Sequence, residues 1–229
     1  MINLEDIYND QVLNIFCDAS IRRTKEQYFG CYGAIAVSGK NIIDQSYQIC
    51  SHTTNNNSEI KAIRSGILLA LKYRYQYPFI NLFSDSQISL FGVRDRCYTW
   101  KEIDNTLYGY NEQDPIKNQS VFIEIMKMIT DHHICINFYH QKGHVNLENK
   151  NSLAEAAHVF KASNQIRDII HIKFIKYISY YNNKVDKDSR ILLNNTNLYQ
   201  LPYIQPVQFV PVDYYRLSDT YNKIIKGEI

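Results

Sequence analysis

Four short stretches of this chain each carry a carboxylate where an apolar run ends or a core helix lies: Phe16-Cys17-Asp18-Ala19-Ser20, Thr53-Thr54-Asn55-Asn56-Asn57-Ser58-Glu59, Phe83-Ser84-Asp85-Ser86-Gln87 and Asn183-Lys184-Val185-Asp186. Strands that end on Asp18 and Asp85, beside a helix that opens near Glu59, would bring these acids to one edge of a sheet. Acids gathered there repel one another and lose hydration, so a fold keeps them together only where a cation shares their charge. The pattern therefore constrains both fold and chemistry: a sheet with a metal-dependent site at one edge.

The rest of the chain supplies such a sheet. Val12 to Cys17, Phe29 to Val37 and Asn41 to Cys50 read as three consecutive antiparallel strands, the last two joined by a turn at Ser38-Gly39-Lys40. From Ser58 to Tyr75, Ile60, Ile63, Ile67, Leu68 and Leu71 recur at helical spacing, with Asn56 or Asn57 as N-cap. Pro78 then forces a break into a short buried strand, Phe79 to Phe83. Ile88 to Val93 and Gln119 to Ile129 read as helices, the second entered through Pro115 and Asn118, and Ile134 to Tyr139 as a fifth strand. The order predicts an α/β fold: a mixed five-stranded sheet, three antiparallel strands then parallel ones, flanked by helices and closed by a helix beyond Asp186. The spacing predicts one domain over 1–194, with a helical insertion at 145–181 (Leu153 to Phe160 and Ile166 to Ile178) before the last core helix. A tail at 195–229, with Pro202, Pro206 and Pro211 among tyrosines, is expected to run extended.

At 229 residues the chain can bury a sizeable core. Its 25 Lys and Arg against 23 Asp and Glu leave whole-chain charge silent about nucleic-acid partners. Five scattered cysteines (Cys17, Cys31, Cys50, Cys97, Cys135), mostly within apolar runs, imply reduced core thiols in a cytoplasmic setting. The N-terminus reads as lacking a charged and then apolar leader, and no apolar run reaches membrane-spanning length. His140 and His144 are spaced like two ligands of a zinc finger, but no cysteine pair stands at a useful distance.

Read together, Asp18-Ala19-Ser20, Gly33-Ala34-Ile35, Thr54-Asn55-Asn56 ahead of Glu59, Asp85-Ser86-Gln87, Thr99-Trp100-Lys101, Asn118, Lys142-Gly143-His144, and Asn182 four residues before Asp186 resemble the type 1 ribonucleases H. The resemblance runs from Leu13 to His144 and resumes near Asn182. It implies a ribonuclease H-like fold and a Mg²⁺-dependent endoribonuclease that cuts the RNA strand of RNA/DNA hybrids, largely without regard to sequence. It further implies two Mg²⁺ ions, for which Mn²⁺ can substitute, held by Asp18, Glu59, Asp85 and Asp186, with Asp18 bridging. Oxygen ligands suit such hard cations, and a pair about 4 Å apart supports an in-line displacement. By the same resemblance His144 is the histidine that moves a proton or helps product leave. Thr54, Asn55, Asn56, Gln87 and Trp100 are then the substrate-binding residues, with shape and the 2′-hydroxyl sensed rather than base identity. For Asn55 and Asn56 a turn with a helix cap is an equally sound reading, and both roles are compatible.

Four departures qualify the carry-over. Ile21-Arg22-Arg23-Thr24-Lys25-Glu26 fills the place of a glycine-rich loop, as a substrate contact or simply as an exposed charged loop. The region of the family's basic handle keeps Trp100 and Lys101 but carries Asp95, Glu102, Asp104, Glu112 and Asp114 against only Arg96 and Lys101, so counterion release cannot operate there. His144 and Asp186 lie 42 residues apart, a far longer link than the family needs. The insertion and its exit carry Lys161, Arg167, Lys173, Lys176, Lys184, Lys187 and Arg190, either as a replacement handle or as the solvated side of a packed helical pair. Finally, Asp188 competes with Asp186 as fourth ligand. Two other functions stay open: a DNA nuclease on the same sheet, integrase-like or resolvase-like, and an inactive module that binds nucleic acid or a protein partner through 145–181 or 195–229.

Overall fold

The computed structural model describes residues 9–25, 27–104, 106–109 and 113–196. Strands β1 (Val12–Arg23), β2 (Tyr28–Ser38) and β3 (Asn41–Ser51) form an antiparallel meander, followed by helix α1 (Asn55–Tyr73) and strand β4 (Phe79–Ser84). Helix α2 (Gln87–Phe91) runs into a π turn at Gly92–Arg96 and a 3-10 turn at Cys97–Thr99. A small hairpin, β5 (Lys101–Ile103) and β6 (Thr106–Tyr108), precedes helix α3 (Gln119–Asp131), strand β7 (Asn137–His140), and helices α4 (Lys150–Ser163) and α5 (Ile172–Asn195).

The five-stranded sheet has the order β3-β2-β1-β4-β7, with β4 parallel to β1 and β7 parallel to β4. β1 lies at its centre, and Val12 through Ser20 are all buried, as a strand covered by helices on both faces must be. One face packs Leu13, Ile15 and Cys17 against α1 and α3 through Ile60, Ile63, Ile67, Phe122 and Ile125. The other packs Phe16, Ile35 and Phe83 against α4 and α5 through Leu153, Phe160, Ile175, Ile178 and Val185. On this second side the side-chain amides of three strands, two buried and that of Asn137 half-buried, form a chain: Asn137 donates to Asn81 at 3.2 Å, Asn81 to Asn14 at 3.0 Å, and Asn14 to the Tyr177 hydroxyl of α5 at 3.4 Å. The Tyr177 hydroxyl in turn donates to the carbonyl of Gly39, in a turn whose φ of 57° suits glycine.

The mixed sheet agrees with the sequence reading, while several boundaries move. β1 and β2 run further than expected, to Arg23 and from Tyr28, because Thr24 closes a tight turn onto Gln27. The N-cap of α1 is Thr54, not Asn56 or Asn57; its side chain accepts from the Asn57 amide. β7 starts at Asn137 rather than Ile134. The β5–β6 hairpin carries no apolar alternation long enough to announce it. The larger change is in the last helix. Ile166 to Ile178 and a helix beginning beyond Asp186 were expected as separate pieces, but α5 is one helix of 24 residues. Its buried stripe, Phe174, Ile175, Tyr177, Ile178, Tyr181, Asn182, Val185, Ser189 and Leu193, is continuous. The polar and aromatic run Ser179-Tyr180-Tyr181-Asn182-Asn183 has weak helix propensity, and packing on the sheet overrides it. Among the thiols, Cys17 and Cys31 are buried, whereas Cys50 and Cys97 are half-buried and Cys135 is exposed. The expected tail lies outside the described residues from 197 onward, as do Glu26 and Glu112. No described helix is long and apolar enough to cross a membrane.

Candidate active site

β1 and β4 pair in parallel from Val12↔Phe79 to Cys17↔Ser84, so Asp18, still paired with Gly33 of β2, and Asp85, the residue after β4, lie at the same level. β3 ends at that edge too, and the short link through Thr53 and Thr54 starts α1 there, placing Glu59 beside them. Asp18, Glu59 and Asp85 each present a carboxylate oxygen, and the three oxygens lie within 4.8 Å of one another. Asp186 comes from the opposite face on α5 and lines the same cleft of about 600 Å³, with Ser20, Arg22, Asn55, His144 and Arg190.

Few hydrogen bonds offset this concentration of charge. Asp18 accepts from the Ala19 amide at 2.7 Å. Asp85 accepts a long bond from Asn182 at 3.4 Å, and Gln141 orients Asn182 with a donation of 2.8 Å. Glu59 Oε2 is buried with no hydrogen-bond partner. Burial, then the charges of Asp85, Glu59 and Asp186, holds the Asp18 carboxyl well above the usual carboxylate range. Burial, then Asp85 and Asp186, pushes Glu59 up to about 8. Burial also raises Asp85, opposed by the Asn182 bond and His144. Three close, poorly solvated carboxylates with one orphaned oxygen fit a hard divalent cation. A Cβ on Gly143 would run into Asp85 Oδ2, so a side chain at this point of the loop after β7 would displace the Asp85 carboxylate.

Asp186 stands apart from that trio. Arg190, one turn along α5, grips it with Nε to Oδ1 at 2.8 Å and Nη2 to Oδ2 at 2.7 Å, and the Ser20 hydroxyl donates to Oδ1 at 3.1 Å. His144 Nδ1 lies 3.4 Å from Asp186 Oδ2, on a side chain 70% exposed at the rim. Asp188 faces elsewhere, accepting from Tyr47 and Lys184. Of the expected substrate-binding residues, Asn55 lines the cleft, while Thr54, Asn56 and Gln87 are exposed nearby in sequence but not part of its lining. Trp100 stacks edge-on against Phe122, with ring centroids 4.8 Å apart, and belongs to the packing. Asn57 donates to Asn118 at 2.9 Å, which ties the start of α1 to the start of α3. The sequence reading missed the grip of Arg190 on Asp186, for which the i, i+4 spacing was a usable signal. It also missed Gln141, whose role has no local signature.

A family model described as RNase H matches residues 10–162 of the chain. Ribonuclease HI of Pasteurella multocida (strain Pm70) is 32% identical over 92 residues, which cover 40% of this chain and 54% of that protein. The chain thus spans about half the length of the curated relative it matches. Among solved structures, the PFV RNase H domain aligns with a TM-score of 0.49 at 17% identity, over 67% of this chain and 94% of that one. LC11-RNase H1 in complex with RNA/DNA hybrid aligns with a TM-score of 0.45 at 16% identity, over 63% and 95% respectively. The family match ends before Asp186, so that acid is placed at the site by the geometry of α5 alone.

Proposed function

The chain belongs to the RNase H family, and from that premise we propose that it is an endoribonuclease that hydrolyses the RNA strand of RNA/DNA hybrids with the help of divalent cations, Mg²⁺ foremost. The observation that supports the reading is the trio Asp18, Glu59 and Asp85, whose oxygens converge within 4.8 Å without a balancing charge among them. These three would hold one cation, and Asp186, across the same cleft, would contribute to a second. Bound there, such ions lower the pKa of a water nucleophile and stabilise charge on a phosphodiester.

The protein's own groups prepare that chemistry. The raised carboxylates give up protons as a cation enters, so occupancy and pH are linked. Asn182, held by Gln141, orients Asp85, and Ser20 with Arg190 orients Asp186. His144 is exposed beside Asp186, where an imidazole can carry a proton to or from the cleft rim. Asn55 presents its amide at the start of α1, next to the acids, suited to a sugar or phosphate oxygen rather than to a base edge. Cleavage is therefore proposed to be largely independent of sequence and to leave a 5′-phosphate and a 3′-hydroxyl. A cytoplasmic setting is part of the same proposal.

The test is cleavage of a labelled RNA strand paired to DNA, in Mg²⁺ and in Mn²⁺, beside RNA/RNA, DNA/DNA and single-stranded RNA, with Asp85→Asn as control. Cutting of the hybrid alone, reduced at least a hundredfold in the variant (about 3 kcal/mol of transition-state stabilisation), is the expected result. Absence of RNA cleavage in both metals overturns the proposal, and cutting of DNA/DNA instead moves the substrate to DNA.

A further inference from the structure

His140 has no metal-ligand partner in the sequence, yet its buried ring joins three elements. Nε2 lies 3.2 Å from the backbone carbonyl of Asp85, and Nδ1 lies 2.9 Å from the Ser163 hydroxyl at the end of α4. A carbonyl can only accept, so Nε2 carries the proton; in a neutral imidazole Nδ1 is then the acceptor, and Ser163 donates. The ring also packs edge-on against Phe91 of α2, with centroids 5.7 Å apart.

The residue after Ser163 completes the joint. β7 is an edge strand, and the Asn164 side chain pairs with it as a further strand would: Oδ1 accepts from the His140 amide at 2.9 Å, while Nδ2 donates to the His140 carbonyl at 2.7 Å. Arg94, in the π turn after α2, donates to Asn164 Oδ1 at 3.0 Å and to the Ser163 carbonyl at 3.3 Å. The last turn of α4 is thereby fastened both to the strand beside Asp85 and to the turn that follows α2. Asp85 itself sits in a two-residue link between β4 and α2, where its carbonyl meets His140 and its carboxylate meets Asn182.

We propose that the C-terminal turn of α4 is a positioning device for Asp85, in which Ser163 selects the His140 tautomer whose Nε2–H holds the Asp85 carbonyl. Without the Ser163 hydroxyl the ring is free to carry its proton on Nδ1. Nε2 then turns a lone pair toward the carbonyl, and the link that aims the Asp85 carboxylate shifts. Ser163 and His140 are positioning residues, acting through Asp85, and the inference rests on the reading that Asp85 binds a divalent cation.

The experiment is calorimetric titration of the metal-free full chain with Mn²⁺, for the wild type, Ser163→Ala, Ser163→Thr and Asp85→Asn, with ¹⁵N shifts of the His140 ring recorded in parallel. Ser163→Ala is expected to weaken Mn²⁺ binding about tenfold, the low end for a group outside the ligand shell, and to lose the pure Nε2–H signature. Ser163→Thr restores both. Unchanged affinity in Ser163→Ala, alongside loss of binding in Asp85→Asn, overturns the positioning role while leaving the cation site intact. So does a loss of affinity with an unaltered tautomer that threonine fails to restore. If the wild type itself does not bind Mn²⁺, or if Asp85→Asn binds like the wild type, the cation reading falls and this inference with it.

Discussion

Glu59 is 8% exposed, and burial with the charges of Asp85 and Asp186 pushes its pKa up to about 8. The ordinary value for glutamate is 4.5, so below that pH both folded and unfolded chains hold the proton and stability is fully present. As pH rises toward 8 the unfolded chain ionises first, and stability is lost through that window. Asp18 and Asp85 shift in the same direction. The metal-free protein is thus expected to melt several degrees lower at pH 8 than at pH 5.5, with Glu59→Gln removing part of the drop and saturating Mg²⁺ most of it. Thermal melts in a chelator and in Mg²⁺ check this; a drop equally large in Mg²⁺ would show that the acids are not held by a cation. Gly143→Ala makes a sharper demand, since the added methyl would occupy the space of Asp85 Oδ2. It should weaken Mn²⁺ binding roughly tenfold or more, read by the same titration. Asp18, Glu59 and Asp85 were legible because each lies in its own local pattern. Gln141 and His140 were not, because nothing in their own surroundings along the chain says which group they will face, whereas Arg190 at least stands one helical turn from Asp186.

At the scale of elements, α5 shows how packing decides what periodicity leaves ambiguous. A single helix runs from the end of the expected insertion through the expected core helix, because one buried stripe from Phe174 to Leu193 lies against the sheet. That continuity orients Asp186 and turns Asp188 toward Tyr47. The amide chain Asn137–Asn81–Asn14 locks the register of the three parallel strands from inside, since a slip would strand buried amides. Asn81→Ala removes the middle link and should cost about 1–3 kcal/mol, measured by urea unfolding. A change within a few tenths of a kcal/mol would mean that the flanking amides find other partners. The individual strands were legible from apolar runs and turn residues, while this chain was not, because hydrogen bonds between strands have no signature along one strand.

For the whole molecule, near-neutral charge conceals an uneven distribution. The β5–β6 hairpin region keeps Lys101 but is otherwise acidic through Glu102, Asp104 and Asp114, whereas the first turns of α5 expose Lys173 and Lys176 while Phe174, Ile175 and Tyr177 face the core. The two expectations for this segment, packing and a basic surface, are therefore compatible on one helix. Replacing Lys173 and Lys176 together with alanine is expected to lower the salt slope of hybrid binding by about one to two; an unchanged slope would leave the helix with packing alone. Sequence by itself determined the sheet, the helix beneath it and three acids at one edge, because alternation, turn chemistry and short motifs act within a few residues. Only the tertiary structure decided that α5 is continuous, that Asp186 rather than Asp188 enters the cleft with Arg190 upon it, and that the end of α4 reaches the backbone of Asp85. Those outcomes depend on which distant surfaces are buried together, a contest of packing and desolvation that no local stretch of chain records.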